Sequence, residues 1–264
     1  MHAIEAFHEL HPETAVEVNV TRHPYSFLGD SRTSGGGLPG ADAPLSQTWH
    51  DALLGYMNND PRARDMAEAG MREQARAAGI ELDYGVLAQW QPVSSQRLLL
   101  WAGRLGLQEE FMSALNKRHF ERRQSASERD TLLAAAAEVG LDAAAAAAFL
   151  DTEELTDEVW ASYGRTITEK RIHSIPLFAM SVPSIDAWGG PFRPAGKHEA
   201  YVVRGSMDQG FFLGLLELIL RDVKAGKRVY DAQAAPFRND EWWRAPRADA
   251  GGNDGGARAG VCTR

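Results

Sequence analysis

The chain has 264 residues, of which 44% are hydrophobic and 24% charged, an ordinary composition for a globular protein with a sizeable core. Its 28 lysines and arginines stand against 36 aspartates and glutamates, and the resulting net charge of −8 argues against a general nucleic-acid binder or a protein of anionic membrane surfaces. The single cysteine, Cys262, excludes an internal disulfide, a CxxC redox pair and a cysteine-rich zinc site within this sequence.

The sequence shows no sign of a secretory or membrane-spanning segment. Its first ten residues lack the basic end and the apolar stretch of a signal peptide. The longest apolar run, residues 211–220, is interrupted by Glu217 and is too short to cross a bilayer. We therefore expect an intracellular, cytoplasmic protein that binds neither membranes nor nucleic acid.

Three short segments open the chain. Residues 3–10 have the apolar spacing of a helix, and Val16, Val18 and Val20 alternate with polar residues, which predicts a strand with one buried face. Residues 30–44 are rich in glycine and proline and predict a flexible loop. That loop lacks the lysine and hydroxyl of a phosphate-binding loop, so we assign it no phosphate site.

From about residue 44 to residue 164 the signals are helical throughout. Asp60 and Pro61 form a helix start, and Gly79 is placed to end that helix. Asp142 precedes a run of six alanines, which predicts a capped helix with small packing residues.

The pattern changes after residue 170. Leu177–Met180 follows Ile175-Pro176 and reads as a short apolar strand, and residues 199–203 predict a second strand. A helix is predicted from residue 207 to about residue 224, before Gly226. Residues 236–264 contain few apolar side chains, and we expect them to form a disordered tail.

Five motifs resemble a known superfamily in their order and spacing. They are VEVNVT with HPYSFL (16–28), RLLLWAG (97–103), AAEVGLD (136–142), SIPLF (174–178) and YVVRGS (201–206). Together they resemble the DsbA-like thioredoxin superfamily, in particular its FrnE-like branch and the neighbouring 2-hydroxychromene-2-carboxylate isomerases and kappa-class glutathione transferases. The resemblance covers most of residues 1–225.

This resemblance implies an α/β fold: a thioredoxin-like, DsbA-type sheet over residues 1–235, with a large all-helical insertion at about 44–164. Members of the superfamily begin with a strand that leads into a CxxC or a serine-bearing turn. Met1 falls within the helix that follows this turn, so we expect the first strand and the active-site turn to be absent. A truncated gene model or a decayed enzyme would explain that absence.

The same departure limits the function that the resemblance implies. The superfamily suggests a thiol–disulfide oxidoreductase, but exchange needs an attacking thiolate and a second thiol that resolves the mixed disulfide. We therefore expect this chain to be inactive as a dithiol catalyst. Two alternatives stay open: a relative of the glutathione-dependent isomerases or transferases, and a non-catalytic peptide-binding module.

The candidate site is the loop before the second half of the sheet. By resemblance, the Ile175–Pro176 bond is cis and the main chain of Ile175 pairs with a bound substrate. Ile175 and Pro176 are thus the predicted substrate-binding residues, and the predicted partner is an extended peptide or a thiol substrate. We assign no catalytic residue, no cofactor and no metal site, since His8 and His11 lack the spacing of a zinc helix.

Overall fold

The computed structural model describes residues 2–32, 47–168, 171–180, 182, 201–226 and 237–238. Backbone contacts divide the chain into two units. Residues His8–His173 form the first, which we call the helical unit. Residues Met1–Phe7 and Ser174–Arg264 form the second, which we call the sheet unit. Helix α1 (His2–Leu10) contributes to both units.

The described part of the helical unit contains seven further helices and one short strand pair. The helices are α2 (Trp49–Tyr56), α3 (Pro61–Ala77), α4 (Val93–Arg104), α5 (Gln108–Arg122), α6 (Arg129–Glu138), α7 (Ala143–Leu150) and α8 (Thr156–Thr168). Strands β1 (Gln47–Thr48) and β2 (Leu87–Ala88) pair antiparallel. This region, predicted as helical throughout, therefore includes a two-residue ladder.

Several helix ends follow directly from local side-chain chemistry. The Oδ1 atom of Asp60 accepts hydrogen bonds from the backbone N–H groups of Arg62 and Ala63, at 2.9 and 3.3 Å, and so caps α3. Asp142 caps α7 in the same way, through a 2.7 Å bond from Ala145 N–H. Gly79 follows α3 with φ +75°, a conformation that glycine adopts without strain.

The core of the helical unit lies among α4, α5, α6 and α7. Leu98 and Phe111 are completely buried there, and Leu132 is 1% exposed. Ala136 and Ala146 are also completely buried, because alanine lets neighbouring helices approach closely. In the run of six alanines, however, only Ala146 is buried, so one face of α7 packs and most of its alanines are exposed.

The sheet unit places one helix against a mixed sheet. Strands β3 (Leu177–Met180), β4 (Tyr201–Arg204) and β5 (Phe237–Arg238) lie in the order β3-β4-β5. Strand β3 pairs antiparallel with β4, and β5 pairs parallel with β4. Helix α9 (Gln209–Lys224) begins at the N-cap Asp208 and buries Leu215 against Tyr201 and Val203.

The predicted strand at residues 16–21 is wrong, because the structure assigns no strand or helix between residues 15 and 26. Burial alternates only at the start of this segment: Val16 and Val18 are half-buried and Glu17 is exposed. Val20, which should continue the buried face, is 40% exposed. Alternating burial shows that one side of an extended segment faces the protein, and a strand also requires a pairing partner. The predicted flexible loop (residues 30–44) and the predicted disordered tail (residues 236–264) lie largely outside the described residues.

Candidate functional site

The Ile175–Pro176 loop lies at the start of β3. The peptide bond between these residues is cis. Ile175 is 51% exposed and Pro176 is exposed too, so both side chains face solvent within the described part of the chain. A large apolar side chain in that position is available for contact with a ligand.

Strand β4 fixes the loop from the other side. The Pro176 carbonyl accepts a hydrogen bond from the backbone N–H of Gly205, at 2.9 Å. Gly205 follows β4 with φ +86°, in the left-handed region that glycine favours. The motif residues 174–178 and 201–206 are thus brought together by the strand pairing.

Helix α9 supports this part of the sheet. The ring of Phe178, 38% exposed, meets the ring of Phe212 edge-on at 4.9 Å between centroids. At the opposite end of β3, the buried hydroxyl of Tyr201 donates to Oδ2 of Asp222 at 2.7 Å. Burial, with a further contribution from Asp222, raises the pKa of Tyr201. Tyr201 pairs with Met180, at the end of β3 that is away from the loop. The Tyr201–Asp222 hydrogen bond therefore stabilises the core of the sheet unit and is not part of the candidate site.

The arrangement presents main-chain groups and an apolar surface to a ligand. Among the described residues, no group of three or more histidine, cysteine, aspartate or glutamate side chains could hold a metal ion. The sole cysteine, Cys262, lies outside the described residues, so the structure gives it no place relative to the loop. None of the described helices is long and apolar enough to cross a membrane.

The HPYSFL motif lies in the helical unit, where it is fixed by buried polar groups. The Gln91 side chain donates to Ser26 Oγ at 3.1 Å and to the Gly29 carbonyl at 2.7 Å. Ser162 donates to the Pro24 carbonyl at 2.8 Å. Two of these bonds satisfy main-chain carbonyls of an irregular loop, at Pro24 and Gly29, which are buried. No local sequence pattern identifies Gln91 as the residue that makes these bonds.

The arginine of the RLLLWAG motif, Arg97, has a structural role. Arg97 is 4% exposed, and its guanidinium donates to the carbonyls of Phe149, Thr152 and Glu154. These carbonyls end α7 and follow it, where the helix dipole favours a cation. The motif therefore joins α4 to the end of α7.

One buried histidine also joins elements of the helical unit. His119, on α5, is 7% exposed, and its Nε2 accepts a hydrogen bond from the Trp49 indole at 2.8 Å. Burial is the main cause that lowers the pKa of His119 to about 4, so the ring is neutral at pH 7. The apolar spacing of α5 places His119 on its buried stripe, but Trp49 could not be identified as its partner from sequence.

The fold and these motifs together define a mixed α/β protein of the DsbA-like thioredoxin fold. A family model described as the DSBA-like thioredoxin domain matches residues 2–168. Because this match spans more than half of the sequence, the chain belongs to the DsbA-like thioredoxin family.

A solved structure supports the same fold. The crystal structure of a probable DsbA oxidoreductase from Streptomyces coelicolor is similar, with a TM-score of 0.59 and 19% sequence identity over 84% of this chain and 85% of that chain. At this identity the likeness concerns the fold alone. No curated protein matches the sequence significantly.

Proposed function

We propose that this chain is a FrnE-like homologue of the DsbA thiol–disulfide oxidoreductases that does not act as a dithiol catalyst and instead binds extended peptide at its cis-proline loop. One observation carries the proposal: the 264 residues contain a single cysteine. A thiolate that attacks a substrate disulfide forms a mixed disulfide, and a second thiol of the same protein normally resolves it. This sequence supplies no such second thiol.

The peptide-binding part of the proposal rests on the loop. Ile175 and Pro176 are exposed, and the Gly205 N–H holds the Pro176 carbonyl in the sheet. A rigid main chain at a strand end lowers the entropy that is lost when an extended peptide binds. The partner class is therefore an extended polypeptide, including one that carries a thiol.

Reduction of insulin by dithiothreitol tests the catalytic part. We expect the chain to leave the rate of insulin precipitation at the level of dithiothreitol alone, and Cys262→Ser to behave identically. An active DsbA with its CxxC serves as the positive control. Turnover by the wild-type chain that Cys262→Ser abolishes would overturn this part of the proposal.

Calorimetry tests the binding part. The probe is reduced, carboxymethylated insulin B chain, which is extended and cannot exchange disulfides. We expect binding that Pro176→Ala weakens, with Pro61→Ala at the exposed start of α3 as the matched control. Equal binding by all three proteins would contradict a role for the loop.

A further inference from the structure

Helix α3 lacks the buried apolar contacts that hold helices such as α4 and α8. Its 17 residues include one buried residue, the charged Glu68, whereas α4 buries six residues and α8 buries five. No residue of α3 belongs to a buried apolar cluster of the described chain. Its apolar side chains on the inner face are small or only half-buried: Ala63, Ala67, Met71 and Ala75. Apolar burial therefore contributes little to holding α3 in place.

Polar contacts attach α3 to its neighbours instead. The Nδ1–H of His50, on α2, donates to Oε1 of Glu68 at 2.6 Å, since a carboxylate only accepts. Among the described residues, this is the one side-chain hydrogen bond or ion pair that joins α3 to another helix or strand. The Arg72 guanidinium also lies 5.2 Å from the centroid of the buried Tyr84 ring, within cation–π distance. Helix α3 is thus held at two places, by His50 and by Tyr84.

The turns at the two ends of α3 have backbone angles that suit a hinge. Asn58 and Asn59, just before the helix, have φ of 53° and 60°, in the left-handed region that asparagine tolerates. Gly79, just after it, has φ +75°. A hinge consists of a few residues of this kind, at the ends of an element, that absorb a change in backbone angles. The helix can therefore pivot while its neighbours keep their conformation.

We propose that α3 is a hinged cover of the helical unit, which opens from α2 and Tyr84 by breaking the His50–Glu68 contact while α4–α7 stay folded. This opening costs less free energy than global unfolding, because it breaks few contacts. It exposes Glu68 and the Tyr84 ring, which are buried in the closed state. Helices gain most of their stability from packing, so the detached α3 loses the protection of its backbone amides.

Amide hydrogen exchange of the wild-type chain at low urea concentrations tests the opening. Global unfolding exposes a large surface and depends steeply on urea, whereas a local opening exposes little surface and responds weakly. We expect protection factors in α3 at least about a hundredfold lower than in α4 without urea, and nearly constant as urea is added. Equal protection and equal urea dependence in the two helices would overturn the proposal.

A matched pair of substitutions tests the contact that keeps α3 closed. Glu68→Ala removes the acceptor of the His50 Nδ1–H, and Glu73→Ala removes an exposed carboxylate from the same helix. Both replace glutamate by alanine, so they change the helix propensity equally. We expect the α3 amides to exchange about tenfold faster in Glu68→Ala than in Glu73→Ala, because only the first loses a charge-assisted hydrogen bond.

Equal exchange of the α3 amides in the two variants would show that the His50–Glu68 contact does not hold the cover closed, and would overturn the proposal. Circular dichroism checks that both variants fold. The wild-type urea series decides whether α3 opens by itself even if Glu68→Ala does not fold.

Discussion

The helical unit and the sheet unit are stabilised in different ways. Among the described residues, thirteen buried apolar side chains form the main cluster of the helical unit, whereas three form that of the sheet unit. The helical unit also buries Arg97, Gln91 and His119, which bond to groups far away in sequence. The sheet unit relies on its strand ladder and on α9. The helical unit thus has the larger described core, and the candidate site lies in the unit with the smaller one.

The largest effect should come from Arg97. Arg97→Met keeps most of the side-chain volume but leaves the carbonyls at and beyond the end of α7 without their charged donor. We expect the free energy of unfolding to fall by about 3 kcal/mol, because the carbonyls bonded to the buried Arg97 lose charge-assisted hydrogen bonds. Urea denaturation followed by far-UV circular dichroism measures this loss.

Arg104→Met is the matched control. Arg104 lies on the same helix and pairs with Glu154, but both side chains are about half exposed. An exposed ion pair contributes about 0.5 kcal/mol or less. Equal losses in the two variants would show that burial of Arg97 is not what stabilises the helical unit.

His119 should make the helical unit sensitive to acid. Its pKa is about 4 in the folded protein, below its ordinary value of 6.5, so between these values the unfolded chain binds more protons. The neutral His119 ring therefore contributes to the free energy of unfolding in full above pH 6.5, and this contribution is lost as the pH falls toward 4. Lowering the pH from about 7 to about 5 should therefore cost about 2 kcal/mol through this residue.

His119→Gln separates this contribution from other titrations. Glutamine can still accept the Trp49 N–H but does not titrate. Urea denaturation at both pH values should show a pH dependence about 2 kcal/mol smaller than in the wild type. An unchanged dependence would place the acid sensitivity in other groups.

The comparison also explains what the sequence could predict. Asp60, Asp142 and Gly79 act on backbone groups within a few residues, so their helix ends were predictable. The partners of Arg97, Gln91 and His119 are 52, 62 and 70 residues away. Local patterns contain no information on such pairs. For the same reason, residues 16–21 had the alternation of a strand but could not reveal whether another strand lies beside them.

The candidate site was predictable only in part. Leu177–Met180 was predicted as a strand from its apolar side chains, and Ile175 and Pro176 were assigned by resemblance. The pairing of Leu177–Met180 with Tyr201–Arg204 depends on the register between β3 and β4, which a single sequence does not specify. Substrate binding at Ile175 and Pro176 stays a prediction.

The smallest of these effects should come from Tyr201 in the sheet unit. Tyr201→Phe removes the hydroxyl that donates to Asp222 and leaves the ring in place. We expect a loss of about 1 kcal/mol, the net value of one hydrogen bond, because the buried carboxylate loses a donor. Faster exchange of the β4 amides measures the loss where it occurs. Tyr56→Phe, on a side chain 53% exposed, is the control and should change stability little, since water replaces the lost contacts. Equal effects of the two substitutions would mean that the buried Tyr201–Asp222 pair adds nothing to the small core beneath β3 and β4.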